Sequence, residues 1–207
     1  GVKPRDPARI DDTLADLGRL AIDQGRLADA ERLLRRRLEL AQAQADVSRL
    51  ADVLDDMGLL LLAGGHFAQA EETLRQTAAQ LERVYGPDSL RVGASLERLA
   101  ASLASQGEFP EAERVLRQTQ LIYAGRLGES HPVTMRASAA LANALAGQGQ
   151  LAGAEALQRQ QVTALEGRGG DLRDLAVALD ELAQTLRRQG RLAEAEPMQR
   201  RALEIAE

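Results

Sequence analysis

The stretch Gly25-Arg26-Leu27-Ala28-Asp29-Ala30-Glu31 occurs five times along the chain in the form Gly-x-(Leu/Phe)-x-x-Ala-Glu. The other four copies begin at Gly65, Gly107, Gly149 and Gly190. Successive glycines are therefore 40, 42, 42 and 41 residues apart. A second series of glycines, also 42 residues apart and about half a repeat from the first, is Gly86, Gly128 and Gly170. The sequence is thus built from five internal repeats of one supersecondary unit.

Each of these glycines is predicted to end a helix, because glycine enters the left-handed region at no steric cost. Every repeat is therefore predicted to be an antiparallel pair, helix A followed by helix B. Eight residues before the turn glycine, helix A has a large residue beside a small one, at Leu17-Gly18, Met57-Gly58, Leu99-Ala100, Leu141-Ala142 and Leu182-Ala183. Five residues after it, helix B has a small contact residue, at Ala30, Ala70, Ala112, Ala154 and Ala195.

The composition of the 207 residues favours an all-α chain and excludes several functional classes. Ala, Leu, Arg, Gln and Glu dominate, and all are good helix formers. Cysteine is absent, which excludes disulfides and thiolate metal sites. The net charge of −5 argues against a nucleic-acid partner, which needs a basic surface. No apolar run approaches the length of a membrane span, so no membrane contact is expected.

These features resemble tetratricopeptide repeats, in particular the longer type of roughly 42 residues found in kinesin light chains and many bacterial proteins. The inter-repeat segments Tyr85-Gly86-Pro87-Asp88 and Leu127-Gly128-Glu129-Ser130-His131-Pro132 carry the same resemblance. It implies a right-handed α-solenoid of five stacked repeats, in which helix A lines a concave groove. We expect one domain over 1–207, with repeats at about 6–46, 47–86, 87–128, 129–170 and 171–207. The segment 43–48 departs from the pattern, because it lacks the glycine and the His-Pro element.

The resemblance also implies which side chains face the groove. In the first two repeats they include Asp12, Asp16, Arg19, Asp52, Asp55 and Asp56. In the later repeats they include Arg98, Arg136, Asn143, Asp180, Gln184, Arg187 and Arg188. The groove is therefore expected to be acidic in its first two repeats and to carry its basic groups later. The alternative is that these are solvated surface charges, or that the aspartates pair with Arg19 or Arg98 between repeats.

No catalytic constellation emerges from the sequence, so an enzyme, a cofactor and a metal site are not expected. A nucleophile needs an oriented base, and no Ser, Thr or Asp has one at a recognisable spacing. His66 and His131 are interpreted as structural or solvent-exposed. The pairs Gly64-Gly65 and Gly169-Gly170 lack the Lys and Ser/Thr of a phosphate loop. The basic cluster Arg32, Arg35, Arg36 and Arg37 is interpreted as an ordinary charged outer face.

The sequence predicts a cytoplasmic, non-catalytic scaffold or adaptor that binds a peptide or helix in the concave groove. A partner with a basic segment beside an acidic one matches the predicted polarity. The alternative is a sensor or autoinhibitory arm of a larger bacterial signalling protein, such as an ATPase, a protease-like protein or a transcription regulator. Self-association through the fifth repeat is a further expectation, because apolar Leu203 and Ile205 lie in its last helix and need cover.

Overall fold

The computed structural model describes residues 7–168 and 172–206. Within these residues the regular structure is entirely helical, which confirms the all-α prediction. The helices are α1 (Pro7–Asp23), α2 (Leu27–Ala43), α3 (Val47–Ala63), α4 (Phe67–Tyr85), α5 (Leu90–Ser105), α6 (Phe109–Leu127), α7 (Pro132–Gly147), α8 (Leu151–Arg168), α9 (Leu172–Arg188) and α10 (Leu192–Ala206).

The chain divides into two compact units, residues 1–106 and residues 107–207. Unit 1 contains α1–α5 and unit 2 contains α6–α10, and consecutive helices pack on each other within each unit. In unit 1, α3 also contacts α1 and α5, so the odd-numbered helices lie side by side. The single domain and its five repeat boundaries stay predictions, and Gly170 lies outside the described residues.

The turn glycines end the odd-numbered helices as predicted. Gly25 has a φ of 70°, in the left-handed region. Its N–H donates to Ile22 O over 2.9 Å, and the N–H of Arg26 donates to Ala21 O over 2.8 Å, which is a Schellman motif. Positive φ also occurs at Gly65, Gly86, Gly107, Gly128, Gly149 and Gly190. In the segment that departs from the repeat pattern, Ala45 takes the left-handed conformation instead, with a φ of 52°.

The small residue of each predicted large–small pair lets two helices approach closely. In unit 1, a Cβ built on Gly18 would lie 3.2 Å from Leu34 on α2, and one on Gly58 would lie 2.4 Å from Leu74 on α4. Both leucines are fully buried. In unit 2, Ala183 belongs to an apolar cluster shared by α8, α9 and α10. The cores of both units are therefore made of leucine against glycine or alanine, and large aromatic rings are seldom needed.

Candidate functional site

A groove of about 900 Å³ runs along α1, α3 and α5 in unit 1. Its walls are mainly charged side chains, with apolar contributions from α4 and α5. Six of the predicted groove residues line it: Asp12, Asp16, Arg19, Asp52, Asp55 and Arg98. Asp11, Tyr85 and Arg91 line it as well, although they were not predicted groove residues, and so does Arg37 of the basic cluster. The structure thus brings together most of the site predicted for the first three helices A.

Beneath this groove, a chain of buried charges joins α1, α2 and α3. Asp56 is fully buried and accepts hydrogen bonds from Arg19 Nε over 2.8 Å and from Arg37 Nη1. Arg37 Nε in turn donates to Asp11 Oδ1 over 3.1 Å, and both of these side chains are only 5% exposed. Charges this deeply buried are tolerated because each has an opposite partner and a hydrogen bond. The network therefore fastens the first three helices to one another.

Two further aspartates on α3 pair with arginines on α5. Asp55 accepts a hydrogen bond from Arg98, and Asp52 accepts one from Arg91. Burial raises the pKa of Asp55, and the charge and hydrogen bond of Arg98 oppose that rise without cancelling it. The guanidinium of Arg91 also lies 4.6 Å from the centre of the Tyr85 ring and donates to its hydroxyl over 3.1 Å. These pairs hold α5 against α3 and α4 at the groove wall.

The acidity predicted for the second repeat is therefore offset within the protein. Asp56 binds Arg19 and Asp55 binds Arg98, which is the inter-repeat pairing named as the alternative. Asp52 binds a different arginine, Arg91. Asp12 and Asp16 on α1 are exposed and form no salt bridge within the described part of the chain, although the charge of Asp16 acts on Arg19 three residues away. The groove surface consequently owes its free carboxylates to the first repeat. A partner-binding role for all of these residues stays a prediction.

Apart from Arg98, the predicted residues of the later repeats lie in unit 2. Asp180, Gln184, Arg187 and Arg188 on α9 line a cavity of about 620 Å³ together with Leu192 and Gln199 of α10. Gln184 Nε2 donates to Asp180 within that cavity over 2.6 Å. On α7, Arg136 is exposed, whereas Asn143 reaches α9 by donating to Glu181 over 3.1 Å. The structure groups the α9 residues with α10.

In three of the five repeats, the glutamate that closes the repeat motif joins neighbouring repeats, a role that the sequence did not predict. The glutamine that precedes a turn glycine donates across to it in three places. The pairs are Gln106 with Glu71 over 2.8 Å, Gln148 with Glu113 over 2.7 Å and Gln189 with Glu155 over 3.0 Å. The available signal was glutamine at this position in four of the five turns, at Gln24, Gln106, Gln148 and Gln189.

Among these three glutamates, Glu155 has the most strongly lowered pKa. A hydrogen bond from Arg159, with others from Gln189 and Arg191 and the charge of Arg191, lowers the pKa of Glu155 to about 2 against the opposing effect of burial. It accepts from Arg159 Nε over 2.8 Å and from Arg191 Nη1 over 2.6 Å. One carboxylate on α8 thus joins α8 to the turn before α10.

The structure confirms the interpretation of the basic cluster on α2 for three of its four arginines, and it gives His131 a structural role. Arg32, Arg35 and Arg36 are exposed and pair with acids on their own helix, as expected of a charged outer face. For Arg37 that expectation is wrong, because its side chain turns inward to the buried aspartates. His131 has a structural position, since its Nδ1 accepts from the Val133 N–H over 3.2 Å and caps α7.

The described residues form neither a metal-ion site nor a membrane-spanning helix. No group of three or more His, Asp or Glu side chains in residues 7–168 and 172–206 could hold a metal ion. In the same part of the chain, no helix is both long and apolar enough to cross a membrane. The Gly169-Gly170 pair lies outside the described residues.

Comparison with known proteins identifies the repeat. Models of the tetratricopeptide repeat match residues 12–36, 49–123 and 134–207. A comparison with curated protein sequences found no match. Among solved structures, BtubC (BKLC) from P. vanneervenii is 20% identical with a TM-score of 0.86, over 97% of this chain and 82% of that one.

Two further solved structures share the fold. A putative kinesin light chain from Podosopora anserina, with nearly identical TPR-like repeats, is 22% identical with a TM-score of 0.81, over 98% of this chain and 97% of that one. MamA from Desulfovibrio magneticus RS-1 is 17% identical with a TM-score of 0.67, over 95% of each chain. These likenesses confirm the predicted kinesin-light-chain-like repeat fold. Because the family model matches well over half of its residues, the chain belongs to the tetratricopeptide repeat family.

Proposed function

We propose that this protein is a non-catalytic interaction module whose unit 1 groove binds a segment of a partner protein. The observation that carries the proposal is the pair of exposed carboxylates, Asp12 and Asp16, on the wall of a groove whose other aspartates are already paired. Carboxylates without an ion-pair partner attract cationic side chains, so a basic residue of the partner is expected at this wall.

Other side chains of the groove suit an acidic group. The side chains of Arg19 and Arg91 are about half exposed, at 50% and 53%, although each also binds an aspartate. Tyr85 and Leu90 add apolar surface beside Arg91. A partner segment with an acidic residue next to its basic one would therefore find a group of opposite charge for each of them in the groove. The sequence analysis predicted a partner of this kind, with a basic segment beside an acidic one.

Rigidity of the groove favours binding. The buried Asp11–Arg37–Asp56–Arg19 network and the Asp55–Arg98 pair hold the groove helices in place before a partner arrives. A preorganised receptor loses little conformational entropy on binding, so more of the contact energy appears as affinity. The mechanism is equilibrium binding without a chemical step.

Two synthetic peptides test this proposal. They have the same length and spacing, one with an Arg-Leu-Glu core and the other with the Arg replaced by Glu. We expect the first to bind more tightly, and the double variant Asp12→Asn/Asp16→Asn to weaken its binding about tenfold, a loss of about 1.4 kcal/mol. The matched control is Glu72→Gln, an exposed acid on α4 away from the groove. Equal binding of both peptides, or an unchanged affinity in the double variant, would reject the groove.

Self-association through the fifth repeat is a second proposed function, favoured by the exposure of Leu203 on α10, at 58%. The groove would serve equally for an intramolecular partner, if the chain is the arm of a larger bacterial signalling protein. The peptide test does not depend on that distinction. The cytoplasmic location stays a prediction.

A further inference from the structure

The turn of the first repeat is nearly identical to the turn of the fifth. Residues 24–31 read Gln-Gly-Arg-Leu-Ala-Asp-Ala-Glu, and residues 189–196 differ from them only by Glu194 in the place of Asp29. The corresponding turns that begin at positions 64, 106 and 148 differ from 24–31 at two to four positions. The contacts of the fifth turn therefore indicate what the first turn is equipped to bind.

The fifth turn fastens α10 to the preceding helix B. Gln189 Nε2 and Arg191 Nη1 donate to Glu155 on α8 over 3.0 and 2.6 Å. Arg159, one helical turn beyond Glu155, lies 3.2 Å from Glu194 on α10. Three side chains of the turn and of the helix that follows it thus bind one Glu–Arg pair on α8.

The same Glu–Arg pair recurs 41 residues later on α10, as Glu196 and Arg200. Glu196 accepts from Arg200 over 2.8 Å, as Glu155 accepts from Arg159 over the same distance. Glu155 is only 14% exposed, whereas Glu196 is 71% exposed. The arginines differ in the same direction, at 44% for Arg159 and 69% for Arg200. The outer surface of α10 therefore presents the pair uncovered.

The first repeat presents the complementary set. Gln24, Arg26 and Asp29 occupy the places of the three contact residues of the fifth turn. Gln24 is exposed, and the side chains of Arg26 and Asp29 are 54% and 41% exposed. These are the residues that would cover a Glu–Arg pair if the contacts of the fifth turn were repeated.

Apolar side chains of the first repeat and of α10 also have counterparts in the fifth repeat and on α8. Leu17 on α1 is 45% exposed, whereas its counterpart Leu182 on α9 is 1% exposed. Leu182 packs in the cluster that contains Val162 of α8, which is 8% exposed. The counterpart of Val162 on α10 is Leu203, which is 58% exposed. Leu17 and Leu203 thus correspond to two residues that share one core in the fourth and fifth repeats.

We propose that a second copy of this chain docks its first repeat on α10, with the contacts that the fifth repeat makes on α8. Gln24 and Arg26 of one copy donate to Glu196 of the other, and Asp29 accepts from Arg200. This inference deepens the self-association proposed above by naming the surface on each copy, and it is independent of the peptide groove. The two surfaces differ, so the contact is heterologous and each docked copy still offers one of them.

Sedimentation of the full chain tests the proposal by charge reversal. Glu196→Arg and Arg26→Glu each set like charges against one another. We expect either variant alone to remain monomeric over the concentration range in which the wild type associates. An equimolar mixture of the two variants is expected to associate as the wild type does. In the mixture, the changed position 26 of one variant meets the changed position 196 of the other, and these two positions again have opposite charges. The second kind of contact in the mixture joins an unchanged Arg26 to an unchanged Glu196. Circular dichroism confirms that each variant folds.

The matched control is Glu72→Arg, the same charge change on the exposed surface of α4, which should associate normally. A wild-type chain that stays monomeric throughout the concentration range overturns both the self-association and this contact. A wild-type chain that associates, with association unaffected by either single variant, overturns only the contact proposed here. Loss of association in both variants without recovery on mixing also counts against it.

Discussion

Arg37 on α2 and Asp56 on α3 form a buried ion pair, with side chains 5% and 0% exposed. The pair is one step in a longer chain, since Arg37 also binds Asp11 and Asp56 also binds Arg19. A buried pair gives little net stability over an apolar core, but the loss of one member leaves the other charged and unpaired. The integrity of unit 1 therefore depends on Asp56, which the sequence placed on a binding surface.

Replacing Asp56 should destabilise the protein strongly. We expect Asp56→Ala to lower the free energy of unfolding by about 3–5 kcal/mol, because Arg37 would keep a buried charge with only Asp11 opposite it. Urea unfolding followed by helical circular dichroism measures the change. Asp12→Ala on the exposed face of α1 is the control and should cost no more than about 0.5 kcal/mol. Similar losses in the two variants would show that Asp56 has no special structural role.

Two helical glycines in unit 2 should respond oppositely to alanine. A Cβ on Gly147 at the end of α7 would lie 2.6 Å from the Phe109 ring, so Gly147→Ala is expected to destabilise by about 1–2 kcal/mol through overpacking. Gly125 within α6 has no heavy atom within 4 Å of such a Cβ. Gly125→Ala should therefore stabilise by up to about 1 kcal/mol through helix propensity. Thermal unfolding of both variants gives the sign of each change in stability. If the two melting temperatures shifted in the same direction, the packing described here would be contradicted.

The ionisation of Glu155 should make the stability of the folded protein depend on pH. Its pKa is lowered from 4.5 to about 2 in the folded protein, so folding favours the charged form. The stability that it contributes is present above about pH 4.5 and is lost as the pH falls toward 2. We expect Glu155→Gln to cost about 1 kcal/mol at pH 7, a value discounted for solvent screening, and to cost progressively less below pH 4.5.

Urea unfolding at a series of pH values measures the difference in free energy of unfolding between the wild type and Glu155→Gln. The exposed Glu72→Gln serves as the control for the loss of a carboxylate on the surface. A difference that stays constant from pH 7 to the acid limit would mean that the Glu155 carboxylate does not titrate with folding.

The sequence repeat predicted the helix-pair architecture, because the start and end of each helix are set by residues close to one another in the sequence. Glycine at Gly25 and its equivalents ends a helix through its own backbone freedom. A small residue such as Gly18 records the close approach of a neighbouring helix. Ala45 shows the limit of this reasoning, because the left-handed turn forms there without glycine. A Cβ disfavours the left-handed region, so the local preference alone does not determine the conformation of that loop.

The sequence by itself thus determined the helical repeat, its turns and the absence of cysteine chemistry. Only the tertiary structure decided which charges are free. Asp55 and Asp12 look alike in a groove-facing pattern, yet Asp55 binds Arg98 while Asp12 is exposed. The partners lie 43 residues apart, and their meeting depends on how α3 packs on α5. Helical periodicity assigns a residue to a face, but the helix that covers that face, and the charge it brings, follow from packing in three dimensions.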